Sequence, residues 1–129
     1  MKSENFMNFF IEEVRSEIDV LKACTKATGL RLESETQLHA DSVGYVQIVD
    51  YDEGFRMGIC ISWHPECGFQ RSQEEVAPSL AKDLRLKVLF DVADSAQPSK
   101  EKWILVLPDG QLRSAEVEEL ENGVALKQA

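Results

Sequence analysis

Three residues of types that bind metal ions or attack carbonyl groups lie close together in the sequence: Cys60, His64 and Cys67. Thiolate and imidazole are the ligands that zinc prefers. The candidates for the fourth ligand of a structural site are His39, Asp41 and Cys24. The spacing lacks the paired C-x-x-C of typical zinc sites, and Cys60 falls inside a predicted strand, where a small side chain commonly packs. We therefore expect neither a metal nor another cofactor.

The same three residues could instead supply a nucleophile and its base. An imidazole close to Cys67 would favour the thiolate that attacks a substrate. Catalysis also requires an orienting group and oxyanion donors, of which the backbone N–H of Gly68 is one candidate. The alternative is a turn in which His64 and Cys67 are solvated or packed under Trp63. A small thiol- or metal-dependent enzyme is therefore the third of three functional hypotheses, and we assign no catalytic residue.

Acidic residues outnumber basic ones and concentrate in two segments. The 129-residue chain has 14 lysines and arginines against 23 aspartates and glutamates, a formal charge of −9. The carboxylates of the two segments are Asp50, Asp52, Glu53, Glu116, Glu118, Glu119 and Glu121. Such runs are ordinarily solvated faces, but complementary charge also steers one protein towards another. These seven residues are the predicted binding surface.

The same charge argues against nucleic acids and membranes as partners. Lysine and arginine contacts with phosphates supply most nucleic-acid affinity, and anionic membranes attract the same side chains. The basic residues here are scattered, and the densest group, Lys82, Arg85 and Lys87, is interleaved with Asp83. No apolar run approaches the length of a membrane span, and the first residues lack a signal-peptide pattern. Together with three cysteines, an odd number, these features favour a cytoplasmic location.

The elements that must position these residues follow from hydropathy periodicity. Apolar residues spaced by three and four predict a helix from Phe6 to about Lys26, capped by Ser3 or Asn5 and ended by Gly29. Alternation with a period of two then predicts strands with one solvated face. Their ranges are 30–38, 43–50 and 55–63, and the last two form a hairpin.

Beyond residue 63 the pattern is less uniform. Ser72 and Glu75 match a capping box, although Pro78 places the helix start either at the proline or before a kink. Residues 84–93 fit both a strand and a continuing helix, and their β-branched residues favour the strand. The remaining elements are a central strand at 103–107 and either a short helix or an edge strand at 114–121.

Together these elements predict one α+β domain covering residues 1–129. A mainly antiparallel sheet of about five strands carries the long N-terminal helix on one face, and a second helix is inserted after the third strand. Homodimerisation through an edge strand or the first helix is compatible with this arrangement.

Two binding hypotheses rank ahead of the enzyme. The first is a non-catalytic cytoplasmic protein of the inhibitor or immunity kind, whose acidic surface engages a macromolecular partner, with a basic protein favoured by charge. The second is a small-ligand-binding module with an apolar pocket between the N-terminal helix and the sheet. The predicted lining of that pocket is Phe10, Val14, Tyr45, Met57 and Trp63.

Overall fold

The structure is a computed structural model that describes residues 6–34, 43–93 and 101–127. In chain order the described residues form β1 (Phe6–Ile11), α1 (Glu17–Thr28), β2 (Leu32–Ser34), β3 (Gly44–Asp50), β4 (Glu53–Gly54), β5 (Met57–Trp63), α2 (Gln73–Leu84), β6 (Val88–Ala93), β7 (Glu101–Val106), β8 (Leu112–Ala115), β9 (Val117–Leu120) and β10 (Gly123–Leu126). A single 3-10 turn, Pro65–Cys67, lies between β5 and α2.

Within these residues the strands form two sheets. The larger has the order β2-β3-β5-β1-β6-β7-β8, and the smaller has the order β4-β10-β9. In the larger sheet β2 and β3 are parallel and the other neighbours are antiparallel. The predicted α+β class is confirmed, and α2 follows the strand at 57–63 as expected. More strands are present than the predicted five, because residues 6–11 and most of 112–126 are also strands.

The predicted helix over 6–26 is wrong in its first half. Phe6–Ile11 forms β1, and α1 begins only at Glu17. Met7, Phe9 and Ile11 are buried, whereas the alternate residues lie on the other face. The apolar residues of this segment fit both the spacing of a helix and the alternation of a strand. Pairing with β5 on one edge and with β6 on the other supplies the backbone hydrogen bonds of a strand. Local periodicity cannot reveal such distant partners, so the tertiary pairing overrides it.

The two helices pack against each other and cover one face of the larger sheet. They bury mostly small and branched side chains against the strands, which permits close packing. The principal core residues are Val20, Ala23, Cys24, Ala27, Val76, Ala77, Leu80 and Ala81 from the helices and Met7, Phe9, Ile11, Ile59, Ile61, Val88 and Phe90 from the strands. The opposite face of the sheet is therefore the one left for other contacts.

The capping box predicted at the start of α2 is present. The hydroxyl of Ser72 accepts from the backbone N–H of Glu75 at 3.3 Å, and the Glu75 carboxylate accepts from the N–H of Ser72 at 2.9 Å. The helix runs through Pro78 and ends at Leu84. For residues 84–93 the favoured strand prediction is confirmed over 88–93, and the helix prediction holds only for residue 84, where α2 ends.

The ladder between β1 and β6, called the seam here, is short. It consists of the pairs Phe10–Leu89 and Ile11–Val88, whereas β1 and β5 pair over six positions. Beyond Phe10, the backbone oxygen of Asn8 accepts a hydrogen bond from the side-chain amide of Gln73 at 3.1 Å. The first residue of α2 therefore satisfies a strand carbonyl that would otherwise lack a partner.

Candidate functional site

The face of the larger sheet opposite the helices is partly covered by the small sheet. Phe55, Leu89 and Val124 form a second buried cluster between the two sheets. The side chains packed around it are Phe10, Trp103, Leu105, Ala115, Val117 and Leu126. The segment at 114–121 contributes to this layer as strand, so its edge-strand reading is confirmed and the short helix is wrong. Its two strand pieces pair with β7 and β10, which a helix could not do.

Two glycines allow β4 to lie against β10. Gly54 has a φ of +67°, and a Cβ there would collide with the carbonyl of Val124. A Cβ at Gly123 would likewise collide with the carbonyl oxygen of Glu53. The N–H of Phe55 donates to the carbonyl of Val124 at 2.8 Å. The absence of side chains thus brings the turn after β3 onto the last strand of the sheet.

A cleft of about 490 Å³ opens between the two sheets. The strand register places Gln47 beside Cys60 and Cys60 beside Asn8, and it places Asp91 beside Trp103. These five side chains form a row along the floor of the cleft. The opposite wall is formed by Glu119, Leu120, Gly123 and Val124.

One wall of the cleft is aromatic. The ring centroid of Phe10 lies 5.8 Å from that of Tyr51 and 6.1 Å from that of Trp103. Arg56 fixes the backbone of Tyr51, because its Nε donates to the Tyr51 carbonyl at 3.0 Å and its own carbonyl accepts from Tyr51 N–H at 2.8 Å. A Cβ at Gly58 would lie 3.0 Å from Tyr51 Cε2, so glycine leaves room for the ring on the sheet.

The charged side chains that line the cleft are Asp91 and Glu119. Asp91 is half-buried on β6. Glu119 pairs in register with Val124, whose side chain is buried between the sheets, so Glu119 lies on the same inner face of the small sheet. Among the described residues, neither carboxylate makes a hydrogen bond or an ion pair. The cleft therefore has a negative potential and unused acceptors.

A second groove of about 480 Å³ lies on the other side of Trp103. Its charged lining is mixed, with two lysines facing two glutamates: Lys102, Lys127, Glu116 and Glu119. Glu119 is shared by both cavities, so its charge is partly offset by the lysines of the second groove. Asp91 belongs to the first cleft alone, which makes it the stronger anchor for a ligand there.

The fold brings the two predicted acidic segments together. Strands β4 and β9 both pair with β10, so Glu53 and Glu119 lie on strands that flank a single one. Neighbouring strands are separated by about 4.8 Å, which puts the two outer strands about 10 Å apart. Alternation places Glu118 on the outer face of the small sheet and Glu119 on the inner face. The acidic surface and the cleft are therefore adjacent, which the sequence did not predict.

The five residues of the predicted apolar pocket do not meet. Met57 is buried under the helices, while Phe10 lies on the opposite face of the sheet and lines the cleft. Val14 is 47% exposed in the connection before α1. Trp63 contacts Phe69, with ring centroids 4.8 Å apart, beside the main core. Tyr45 pairs with Ser62 of β5, and Phe10 pairs with Gly58 of the same strand. Because Ser62 and Gly58 are four residues apart, their partners Tyr45 and Phe10 lie on the same face of the sheet. The pocket prediction assumed a helix over residues 6–11, which the strand β1 replaces.

The structure separates Cys60 from His64 but keeps His64 and Cys67 in one turn, where the N–H of Cys67 donates to the His64 carbonyl at 3.1 Å. Cys60 lines the cleft from the middle of β5, whereas His64 is exposed at the start of the 3-10 turn that ends at Cys67. Four extended residues span about 13 Å, so Cys60 and His64 lie far apart. In the described residues no group of three or more histidine, cysteine or carboxylate side chains could hold a metal ion. His39 and Asp41, the other candidate ligands, lie outside the described residues.

The third thiol, Cys24, is inert in the native state. Its side chain is fully buried in α1, and burial raises the pKa of this thiol to about 12. Because the thiolate is the reactive species, we expect a thiol reagent at neutral pH to modify Cys60 and Cys67 and to reach Cys24 only after unfolding. Mass spectrometry of the native protein should give the same number of labels for Cys24→Ala as for the wild type. A label lost in that variant would contradict the burial.

Sequence reasoning missed Asp91, Asn8, Gln47 and Trp103 as site residues. A signal was present, since Asn8 and Asp91 are each the single polar residue of an apolar strand, and Gln47 lies between apolar residues in β3, which ends at Asp50. A polar residue in such a strand faces water, a partner or a cavity. Which of these applies depends on the order of the strands, and that order is visible only in the fold.

No helix in the described part of the chain is long and apolar enough to cross a bilayer. Comparison with protein-family models, with curated proteins and with solved structures found no significant match to this chain.

Proposed function

We propose that the protein is a non-catalytic binding protein that engages a basic macromolecular partner through its small acidic sheet and the adjoining open face of the larger sheet. The observation that carries this proposal is electrostatic. None of the seven carboxylates in the two acidic segments takes part in an ion pair among the described residues. The ion pairs within that part of the chain lie elsewhere: Arg15–Glu13, Lys26–Asp83 and Arg31–Glu33.

Unpaired like charges repel one another, and a partner of opposite charge relieves that repulsion. The same side of the larger sheet also carries apolar contact area. Phe6 is 45% exposed on β1 and Val49 is 44% exposed on β3. An apolar surface rimmed by charges is typical of protein interfaces. The three free cysteines fit a reducing compartment such as the cytoplasm.

The test compares the wild type with the variant Glu116→Gln/Glu118→Gln/Glu121→Gln, which neutralises three exposed carboxylates that do not line the cleft, without changing side-chain size. Proteins that bind the immobilised wild type at low salt are identified, purified and titrated against both forms. We expect a partner with a basic surface, at least tenfold weaker binding to the variant, and affinity that falls as salt is raised. A partner bound equally by both forms at every salt concentration would refute the proposal.

The cleft supports a second candidate, a small-ligand-binding module. Its volume of about 490 Å³ is within the range of small-molecule sites, and aromatic side chains with a few polar groups are a common lining. A ligand that binds only the native state raises the melting temperature. A screen of small cationic and neutral compounds by thermal shift would separate this function from macromolecular binding.

A further inference from the structure

We propose that the cleft between the two sheets binds a guanidinium group, with Asp91 and Glu119 as its acceptors and Trp103 as the ring on which it stacks. The occupant is an arginine side chain of the basic partner, so the inference rests in that respect on the proposed function. The inference goes beyond the proposed function by naming the chemical group that the cleft binds, which the acidic segments alone did not predict.

The charge of the cleft favours a cation. Its charged lining residues are Asp91 on the floor and Glu119 on the opposite wall, and neither carboxylate has a partner among the described residues. An anion, or a neutral ligand without N–H or O–H donors, would displace water from these carboxylates without replacing its hydrogen bonds, which is costly, and a neutral donor would replace them without gaining charge attraction. A cation replaces those hydrogen bonds and gains charge attraction in a partly dehydrated space.

The aromatic wall favours a planar cation. Tyr51, Phe10 and Trp103 form a continuous series of rings, with centroid separations of 5.8 and 6.1 Å. A guanidinium stacks flat on such rings and is less strongly hydrated than an ammonium. The ring of Trp103 is next to Asp91 in the strand register. One guanidinium can therefore stack on the ring and still reach the carboxylate.

The arrangement of acceptors distinguishes guanidinium from ammonium. Asp91 is on the floor and Glu119 on the opposite wall, while Asn8 and Gln47, whose side chains each carry one amide oxygen, lie in the same floor row. Five N–H donors in one plane can serve acceptors on both walls, whereas an ammonium has three donors around one point. Lys102 and Lys127 offset the charge of Glu119 from the second groove, so Asp91 is expected to be the stronger of the two anchors.

The experiment uses Trp103 fluorescence as the reporter. The Trp63→Phe substitution removes the other tryptophan and keeps an aromatic ring against Phe69. The probes are the acetylated, amidated tripeptides Gly-Arg-Gly, Gly-Lys-Gly and Gly-citrulline-Gly, the last of which matches arginine in shape but carries no charge. We expect saturable binding of the arginine peptide at least tenfold tighter than that of the citrulline peptide, and threefold or more tighter than that of the lysine peptide. Binding of the arginine peptide no tighter than that of the citrulline or the lysine peptide, or no binding of the arginine peptide, would overturn the proposal.

Two isosteric variants in the Trp63→Phe background locate the site. Asp91→Asn should weaken binding of the arginine peptide at least tenfold, whereas Glu66→Gln, at an exposed carboxylate of the 3-10 turn outside the cleft and the acidic segments, should change it less than twofold. Circular dichroism and the melting temperature establish that both variants are folded. Equal losses of affinity in the two variants would show that the peptide binds in response to the net charge of the protein rather than in the cleft.

The two proposals fail in different ways. If the triple variant Glu116→Gln/Glu118→Gln/Glu121→Gln no longer binds the partner while the arginine peptide does not bind the wild-type cleft, the guanidinium site is wrong and the acidic interface stands. If the arginine peptide binds through Asp91 but every partner binds the triple variant as tightly as the wild type, the proposed acidic interface is wrong and the guanidinium site stands.

Discussion

Replacing Phe9 with alanine is expected to lower the free energy of unfolding by about 4 kcal/mol. Phe9 is fully buried near the middle of β1, and its ring meets that of Phe90 edge to face with centroids 6.0 Å apart. Truncation leaves a cavity between the central strands and the helices that neighbouring side chains can fill only in part. Chemical denaturation followed by circular dichroism measures the loss.

Phe6→Ala is the matched control for this prediction. It makes the same change three residues earlier in the same strand, on the face opposite the helices, where the side chain is 45% exposed. We expect a loss of about 1 kcal/mol or less. Similar losses for the two substitutions would contradict the placement of residues 6–11 as a strand with one buried and one open face.

Gly54→Ala is expected to destabilise the small sheet by about 3 kcal/mol. Two costs add, because the residue has a φ of +67° and its new Cβ would meet the backbone of Val124. The strand contacts between β4 and β10 must then separate, which exposes Phe55 and the cleft. Hydrogen exchange of the amides in β9 and β10, with Trp103 fluorescence, would report this opening. Slow exchange unchanged from the wild type would contradict the expected close approach.

Gly68→Ala is the control that separates the cost of the backbone conformation from the cost of the steric collision. Gly68 has a φ of +78°, but nothing lies within 4 Å of its Cβ position. This control should lose only the conformational penalty, about 1 kcal/mol, and leave exchange in the small sheet unchanged. Equal losses at both glycines would indicate that backbone conformation, rather than contact with β10, limits position 54.

The strands that alternate regularly could be predicted from the sequence, and the elements that depend on distant pairing could not. The segments at 43–50 and 55–63 pair with each other over seven positions and were expected as a hairpin. The segment at 6–11 has apolar residues on both faces because the helices cover one face and Phe10, on the other face, packs against the cluster under the small sheet. That pattern mimics a helix. Of the predicted strand at 30–38, residues 32–34 are strand and residues 35–38 lie outside the described residues.

The candidate site was harder to predict than the class of fold. Its acidic residues were recognisable as runs in the sequence, and the structure adds that Glu53 and Glu119 flank the same strand. The cleft itself could not be foreseen, because Asn8 becomes a neighbour of Asp91 and Trp103 only through the placement of β1, from the start of the chain, beside β6. A local sequence pattern indicates which face of a sheet a side chain lies on, but it does not indicate which strand pairs with that strand.

The short seam between β1 and β6 runs through the floor of the cleft. Asp91 belongs to the strands on one side of the seam, and Gln47 and Cys60 belong to the strands on the other side. Two residue pairs form the backbone ladder there, and the hydrogen bond from Gln73 ties β1 to α2. An occupant in contact with both Asp91 and Gln47 would therefore connect two groups of strands that the backbone ladder joins at two positions.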